Sequence, residues 1–239
     1  MNNLPAGVSV GLIPARSGSK RVPNKNKRIL GGLPLISHTI ATAIESGIFA
    51  EIIVSTDDPE IAQISVECGA NVPSLRPSEI SEDFSTDIEW LMYAVDHQVS
   101  VLADYLAILR PTSPLRRAET IRNATLALER NSWADSIRAM EVTDKHPGKM
   151  WILHENDEAT PLQDQSLEVI PTHNRPTQTL PKVWVQNASL EVVRLTSLLE
   201  TGSISGRRVM GFEMPGYEGF DLNTELDWKL LEILFLEQR

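Results

Sequence analysis

A dense group of cationic side chains near the N-terminus is the first feature of the sequence that could perform chemistry. Between positions 16 and 28 the chain carries six basic residues and no acidic one, although its formal net charge is −10. Arg16, Lys20 and Lys25 are spaced so that they could contact successive phosphates, and Ser19 adds a hydroxyl donor. The segment therefore predicts a site for a small polyanion such as a nucleoside triphosphate.

This basic segment matches neither of two common phosphate-binding fingerprints, G-x-x-x-x-G-K-[ST] and G-x-G-x-x-G. It does contain Gly18, which allows a close approach of the backbone to a ligand. A solvated basic loop or a patch for nucleic acid is the alternative interpretation. A buried strand that leads straight into the segment favours the phosphate site.

Apolar runs alternate with helical periodicity along most of the chain, which predicts an α/β fold. The pattern predicts strands at 8–15, 51–56, 105–109, 134–142 and 183–193. It predicts helices at 34–47, 58–69, 87–99, 118–130 and 224–238. This order is typical of a doubly wound, mostly parallel sheet with helices on both faces.

Ligands of such sheets bind outside the carboxyl ends of the strands. The loops at 16–28, 110–117 and 221–223 all follow predicted strands or precede the last predicted helix. We therefore expect these three loops to converge on one site.

One long stretch interrupts the alternation. From 144 to 181 the sequence is rich in Pro, His, Asn, Asp and Thr with scattered aromatic residues, and it is too long for an ordinary connection. We interpret the chain as a single domain, 1–239, with this stretch as an excursion.

Composition excludes several functional classes. A net charge of −10 argues against general affinity for nucleic acid, since a phosphate polymer is bound through an excess of cations. The N-terminal residues lack the pattern of a secretory signal, and no run approaches the length of a membrane span. We therefore expect a cytoplasmic protein without membrane contact.

Four motifs in order along the chain resemble those of the acylneuraminate cytidylyltransferases. They are Ile13-Pro14-Ala15-Arg16-Ser17-Gly18-Ser19-Lys20 with Pro23, Lys25 and Asn26; Val54-Ser55-Thr56-Asp57-Asp58; Arg76-Pro77; and Pro111-Thr112-Ser113-Pro114-Leu115-Arg116. Later matches include His146-Pro147, Lys149-Met150, Gln178 to Lys182, Asn187-Ala188 and Asp221 to Asp227. The resemblance covers the chain from about residue 8 to its end.

The resemblance implies a fold similar to that of nucleotide-diphospho-sugar transferases, with CTP and an acidic sugar as substrates and Mg²⁺ as cofactor. It also implies a homodimer in which the excursion at 144–181 is the dimerisation arm. The implied nucleotide-binding residues are Arg16, Ser19, Lys20, Lys25, Asn26, Arg76, Ser85 and Thr86, with Lys20 and Arg16 as catalytic groups. The implied sugar-binding residues are Arg110, Thr112, Ser113, Lys149, Arg175, Gln178 and Asn187, and the implied metal ligands are Asp221 and Asn223.

Each implied role has a structural alternative. Arg76 could be a surface charge, Ser85 or Thr86 could cap the next helix, and Asn187 could satisfy a strand end. Asn223 could equally cap the last helix.

The sequence departs from the family pattern at three places. Arg110 replaces the usual Gln, Asn223 replaces the second Asp of the usual Asp-x-Asp, and the run at 187–189 lacks the usual Gly. Arg110 favours an anionic or acceptor-rich group on the substrate. Asn223 replaces an anionic ligand by a neutral carbonyl.

The expected reaction is transfer of CMP from CTP to a nonulosonic, sialic-type sugar acid with release of pyrophosphate. Because of the three departures, two alternatives stay open. One is a nucleotidyltransferase of the same fold that uses another triphosphate or a sugar phosphate, and the other is a non-catalytic sugar-nucleotide sensor.

Overall fold

The computed structural model describes residues 5–163 and 170–237. The chain divides into two compact units, the first formed by Met1–Ala139 with Asn187–Arg239 and the second by Met140–Gln186. The second unit contains the whole of the predicted excursion at 144–181, of which 164–169 lies outside the described residues.

The elements follow the predicted alternation. In chain order the strands are β1 (Ser9–Pro14), β2 (Ile29–Leu30), β3 (Leu33–Pro34), β4 (Phe49–Ser55), β5 (Tyr105–Ile108), β6 (Ser136–Val142), β7 (Trp151–Leu153), β8 (Ala159–Pro161), β9 (Trp184–Arg194) and β10 (Val209–Glu213). The helices are α1 (Leu35–Ser46), α2 (Pro59–Glu67), α3 (Asp87–His97), α4 (Ala118–Arg130), α5 (Leu195–Thr201) and α6 (Glu225–Glu237).

Six strands form the central sheet in the order β10-β6-β9-β5-β1-β4. Strand β1 is parallel to both β4 and β5, whereas β9 is antiparallel to β5. The sheet is thus mixed and mostly parallel, which confirms the predicted fold class.

Strand β1 shows why both faces of this sheet must be covered. Its residues Ser9 to Ile13 are all buried. Because successive side chains of a strand point to opposite faces of the sheet, other elements must pack against both faces. Ile13 packs in one apolar cluster with Ile36 of α1, and Leu12 packs in another with Leu91 of α3. Helices on the two faces therefore sandwich the strand that ends at the basic segment.

Local signals in the sequence define several helix ends. Gly47 ends α1 in the left-handed conformation with φ 65°, and the Asp58 carboxylate accepts hydrogen bonds from the amides of Glu60 and Ile61 at the start of α2. At α6, Thr224 and Asp227 form the predicted capping box, with Thr224 N donating to Asp227 at 2.7 Å and Asp227 N to Thr224 at 3.2 Å.

The second unit contains a short antiparallel pair, in which Trp151 lies opposite Pro161 and Leu153 opposite Ala159. All three side chains of β7 are exposed, with Leu153 at 70%. Because neighbouring side chains of a strand point to opposite faces, both faces of β7 present apolar surface in the described part of the chain.

None of the described helices combines the length and the apolar character needed to cross a membrane.

Candidate active site

A cavity of about 610 Å³ opens in the first unit where the predicted loops meet. Its lining includes residues of the basic segment after β1, the loop after β5 and the turn before α6. The expected convergence of these three loops is confirmed. The volume is that of a pocket for a nucleotide-sized ligand.

The backbone of the basic segment is held from the neighbouring strand. Asp57, just after β4, accepts hydrogen bonds from Ser17 N at 2.7 Å and from the Ser17 hydroxyl at 2.5 Å. Gly18 then takes φ 70°, a conformation that side chains disfavour. The Asn26 side chain, itself buried, donates to the carbonyl of Arg16 at 3.2 Å. These contacts give a compact loop directly over the end of β1.

The catalytic candidates Arg16 and Lys20 share one carboxylate. Arg16 lies 3.1 Å from Asp83 Oδ1, and Lys20 contacts Asp83 Oδ2. The two cations hold the pKa of Asp83 below its usual range, chiefly through the hydrogen bond from Lys20. All three residues line the cavity, so cationic donors and a competing carboxylate meet there.

Lys25 lies deeper than Lys20. Burial lowers the pKa of its ammonium, and the nearby cations Arg21 and Arg16 act in the same direction, whereas Asp221 opposes them. A cation in such surroundings gains from a phosphate partner, because the added negative charge offsets both the desolvation and the repulsion.

Arg76 is a buried cavity residue rather than a surface charge. Its guanidinium donates to the Ser55 hydroxyl and, at 2.6 Å, to the Ser55 carbonyl, and it stacks over Trp90 at 5.3 Å. Burial lowers the pKa of Arg76 to about 10, although Asp57 counteracts this. Trp90 also lines the cavity, so this part of the wall offers both a flat apolar surface and a cation.

The two hydroxyl candidates before α3 differ in position. Ser85 lines the cavity, and its hydroxyl accepts a hydrogen bond from Glu82 N at 3.0 Å. Thr86 is the N-cap residue of α3, and its amide and hydroxyl donate to Glu89 at 2.5 and 2.8 Å. The structure thus gives Thr86 the capping position, and its contact with a nucleotide stays a prediction.

Arg110 lines the cavity, and its two terminal nitrogens already donate to carboxylates of the protein. NH2 donates to Asp87 at 2.8 Å and to Glu191 at 3.0 Å, and NH1 donates to Asp87 at 3.2 Å. Burial alone would lower the pKa of Arg110, but Glu191 and Asp87 raise it above its usual value. The charge of Arg110 is therefore compensated within the protein, and its contact with an anionic or acceptor-rich substrate group stays a prediction.

The other sugar-site candidates are distributed over both units. Thr112 lines the cavity, and Ser113 is buried beside it in sequence. Asn187 accepts a hydrogen bond from Ser189 N at 3.2 Å, and the next residue, Ala188, lines the cavity. Lys149, Arg175 and Gln178 belong to the second unit, in or beside short 3₁₀ turns, and their contact with substrate stays a prediction.

The metal-site candidates Asp221 and Asn223 lie together on the cavity wall. Asn223 Nδ2 donates to Asp221 Oδ2 at 2.6 Å, and Asn223 Oδ1 accepts from Arg21 at 3.0 Å. The helix after them is capped by Thr224, so the side chain of Asn223 is not needed as the cap.

The oxygen atoms of Asp221 and Asn223 are of the kind that Mg²⁺ prefers. No cluster of three or more His, Cys, Asp or Glu side chains suited to a metal ion occurs within the described ranges. Mg²⁺, however, is commonly bound through one or two carboxylates together with water and substrate phosphates. The carboxylate of Asp221 on the wall of a cationic cavity fits that requirement, whereas the amide oxygen of Asn223 would first have to leave Arg21, from which it accepts a hydrogen bond.

The sequence analysis assigned no role in the site to three acidic residues, although one of them, Asp57, lies in a quoted motif. Asp57 positions the basic segment, Asp83 pairs with its cations, and Asp87 binds Arg110. Asp57 follows a predicted strand, which was an available signal. Asp83 and Asp87 acquire their partners only through the fold.

The mostly parallel α/β sheet with its cavity at the strand ends defines a fold of the nucleotide-sugar transferase type. The chain resembles the solved structure of CMP:2-keto-3-deoxy-manno-octonic acid synthetase complexed with CTP, with a TM-score of 0.68, 17% identity and coverage of 97% of this chain and 100% of the other. At that identity the likeness concerns the fold.

Residues 10–183 match the family model described as Cytidylyltransferase, and the chain belongs to that family. It is 33% identical over 232 residues to CMP-N,N'-diacetyllegionaminic acid synthase of Legionella pneumophila, covering 94% of this chain and 95% of that protein. It is 30% identical over 224 residues to N-acylneuraminate cytidylyltransferase of Streptococcus agalactiae, covering 91% of this chain and 51% of that protein. The enzyme class expected from the motifs is confirmed.

Proposed function

We propose that the protein transfers CMP from CTP to a nonulosonic acid, with release of pyrophosphate. The observation that carries this proposal is the cavity at the strand ends, where Arg16, Lys20 and Lys25 face the same space as Asp221. A relative that covers nearly the whole chain is named for a CMP-linked diacetylated nonulosonic acid, and another is named for N-acylneuraminate. These names support an N-acylated nonulosonic acid as the acceptor, of either the legionaminic or the sialic type.

The reaction is an in-line displacement at the α-phosphorus. The anomeric oxygen of the sugar forms the new bond to phosphorus and loses its proton. The bond from the α-phosphorus to the bridging oxygen breaks with its electron pair, and pyrophosphate leaves. The protein contributes positioning and charge stabilisation, as expected for transfers of this type.

Individual residues divide these tasks. Lys20 and Arg16 neutralise charge that develops on the phosphate oxygens, and Lys25 binds the phosphate chain from the deeper side. Arg76 and Ser85 bind the nucleotide near the base. Asp221 and Asn223 would hold Mg²⁺, which when bound supplies positive charge that neutralises the phosphates and the leaving pyrophosphate.

The sugar side of the proposal extends to the second unit. Lys149, Arg175 and Gln178 are the proposed sugar contacts of the second unit, and Asn187 is a proposed sugar contact of the first unit. We also propose a homodimer in which residues 144–181 form the contact with a second copy, because β7 presents apolar side chains on both faces.

Pyrophosphate release tests the reaction directly. We would measure it with four nucleoside triphosphates crossed with N-acetylneuraminic, N,N'-diacetyllegionaminic and pseudaminic acids and a sugar phosphate, in the presence of Mg²⁺. The proposal predicts release with CTP and at least one sugar acid. Pyrophosphate release with another triphosphate, or only with the sugar phosphate, would indicate a nucleotidyltransferase of the same fold with other substrates. CTP binding without any pyrophosphate release would indicate a non-catalytic sugar-nucleotide sensor.

A further inference from the structure

A chain of four alternating charges runs from the cavity into the sheet. Asp87 at the start of α3 binds Arg110 after β5, Arg110 binds Glu191 of β9, and Glu191 binds Arg138 of β6. The side chain of Glu191 is 6% exposed and that of Arg138 is 14% exposed. The charges of the two arginines and the two carboxylates cancel, so these four residues add no net positive charge to the cavity.

Asp87 is the most exposed member of this chain of charges. Its side chain is 49% exposed, against 20% for Arg110, and both residues line the cavity. Arg110 already has two carboxylate partners, which compensate its charge and weaken its attraction for a substrate anion. The carboxylate of Asp87 is therefore the member of this chain of charges that is best placed to contact a ligand in the cavity.

The hydrogen bonds of Asp87 leave one of its oxygens with spare capacity. Oδ1 accepts from Trp90 Nε1 at 2.9 Å and from Arg110 NH1 at 3.2 Å, whereas Oδ2 accepts from Arg110 NH2 at 2.8 Å. A carboxylate offers about four acceptor positions. One acceptor position of Oδ2 is therefore available for a donor in the cavity.

The two partners also hold the carboxylate in one orientation. The two nitrogens of Arg110 bind the two oxygens of Asp87, a fork that fixes the plane of the carboxylate. Burial would raise the pKa of Asp87, but the hydrogen bonds and the charge of Arg110 outweigh it and keep the pKa below its usual value. Asp87 is thus an ionised, oriented acceptor at neutral pH.

We infer that Asp87 contacts a substrate by accepting a hydrogen bond from it, and that Arg110 is a positioning residue that orients Asp87 rather than an anion-binding residue. This inference deepens the proposed function and rests on it. A carboxylate repels the phosphates of CTP and the carboxylate of the sugar, so its donor belongs to a neutral part of a substrate. The exocyclic amine of cytosine, the hydroxyls of the ribose and of the sugar, and the acylamido N–H of the sugar all have this chemistry.

A purely structural role is the competing explanation. Asp87 stands in the first turn of α3, where a negative charge stabilises the helix in any protein. The experiment must therefore separate substrate affinity from thermal stability.

The test compares the variants Asp87→Asn, Arg110→Gln and Arg110→Lys with Asp96→Asn. Asp96 is an exposed residue of the same helix outside the cavity lining, so its variant matches the charge change of Asp87→Asn. We would measure Tm, kcat and the separate KM values for CTP and for the sugar acid. Calorimetric titrations with CTP and with the sugar acid provide a readout that does not depend on turnover.

For Asp87→Asn we expect the KM of one substrate to rise about 10- to 100-fold, the range for losing a hydrogen bond to a charged group, with Tm close to that of Asp96→Asn. Arg110→Gln should shift the same KM, and Arg110→Lys should not restore it fully, because an ammonium cannot form the two-pronged contact. A higher KM for CTP with weaker discrimination against UTP identifies the base amine as the donor. A higher KM for CTP with unchanged discrimination identifies a ribose hydroxyl, and a higher KM for the sugar acid alone identifies a donor on the sugar.

The inference is overturned if Asp87→Asn changes Tm but leaves both KM values and both calorimetric affinities within twofold of Asp96→Asn. It is also overturned if Arg110→Gln selectively weakens a substrate that Asp87→Asn does not affect. Failure of the proposed function is distinguishable: wild-type protein would release no pyrophosphate, while Asp87→Asn could still weaken calorimetric binding. If the wild-type protein binds neither substrate, both are wrong.

Discussion

Lys20 forms an ion pair with Asp83, and the same carboxylate pairs with Arg16 at 3.1 Å. Asp83 lies about sixty residues further along the chain, in the loop before α3, so the contact joins two loops that line one cavity. A triphosphate that uses Lys20 and Arg16 must compete with this carboxylate. The strength of nucleotide binding therefore depends on Asp83 as well as on the cations.

Replacement of Lys20 should affect turnover far more than folding. The Lys20 side chain is 80% exposed, and exposed ion pairs contribute little to stability. For Lys20→Ala we expect kcat to fall by about 10²-fold or more, the scale of losing one transition-state donor, with Tm nearly unchanged. Lys229→Ala, at an exposed position of α6, is the control. A folded Lys20→Ala protein with wild-type kcat would remove Lys20 from the mechanism.

Removal of the competing carboxylate should strengthen nucleotide binding. For Asp83→Asn we expect the KM for CTP to fall by about two- to fivefold at low ionic strength, the scale of an exposed ion pair. The effect should fade in high salt, since added ions screen exposed charges. Asp83→Glu keeps the charge and serves as the control. An increase in KM would show instead that Asp83 holds Lys20 in its productive position.

Removal of the contact between Asp57 and Ser17 should reduce the order of the basic segment. Asp57→Ala removes the acceptor for both the amide and the hydroxyl of Ser17, whereas Ser17→Ala removes only the hydroxyl bond. We expect Asp57→Ala to lower kcat/KM for CTP by about tenfold or more, because small displacements of binding groups are costly, and Ser17→Ala to cost less. In the double variant the Ser17 effect should disappear. Fully additive effects would mean that the two residues act independently.

Much of the fold could be predicted from local patterns. The periodicity of α4 predicts 118–130, the range found in the structure, because its apolar face is continuous and its ends are marked. Helix α5 and strand β10 were not predicted, because segments of seven and five residues are too short to show a clear hydrophobic period. The antiparallel direction of β9 depends on tertiary pairing with β5, which no local pattern encodes.

The site could be predicted only in part, for a related reason. Clustered cations and glycine are visible in the sequence as a local composition. Glu191, one of the two carboxylates that neutralise Arg110, is 81 residues away along the chain, so the sequence alone could not indicate that Arg110 forms an ion pair within the protein. Partners from distant segments decide whether a charged residue is available to a ligand.

The apolar surface of β7 predicts an effect on assembly. Leu153→Glu should weaken the proposed homodimer because it places a charge on an exposed apolar strand, without disturbing packing inside the unit. Light scattering at micromolar concentration should show a dimer for the wild type and monomer for the variant. Leu102→Glu, at a 97% exposed position of the first unit, should remain a dimer. A fully active wild-type monomer would contradict the proposed assembly.

The pair of Asp221 and Asn223 predicts a change in magnesium dependence. In Asn223→Asp the 2.6 Å hydrogen bond between the two side chains would be replaced by two neighbouring carboxylates, whose repulsion a divalent cation relieves. Because hard cations bind more tightly as charged oxygen ligands are added, we expect half-maximal rate at a lower Mg²⁺ concentration than in the wild type. Thr224 caps α6 in either case, so Tm should change little in the absence of metal. Initial rates titrated with Mg²⁺ give the comparison, and Arg21→Gln, which removes the cation at Asn223 Oδ1, should shift the curve in the same direction. Coincident curves for the wild type and Asn223→Asp would exclude Asn223 as a ligand and leave Asp221 without its proposed partner.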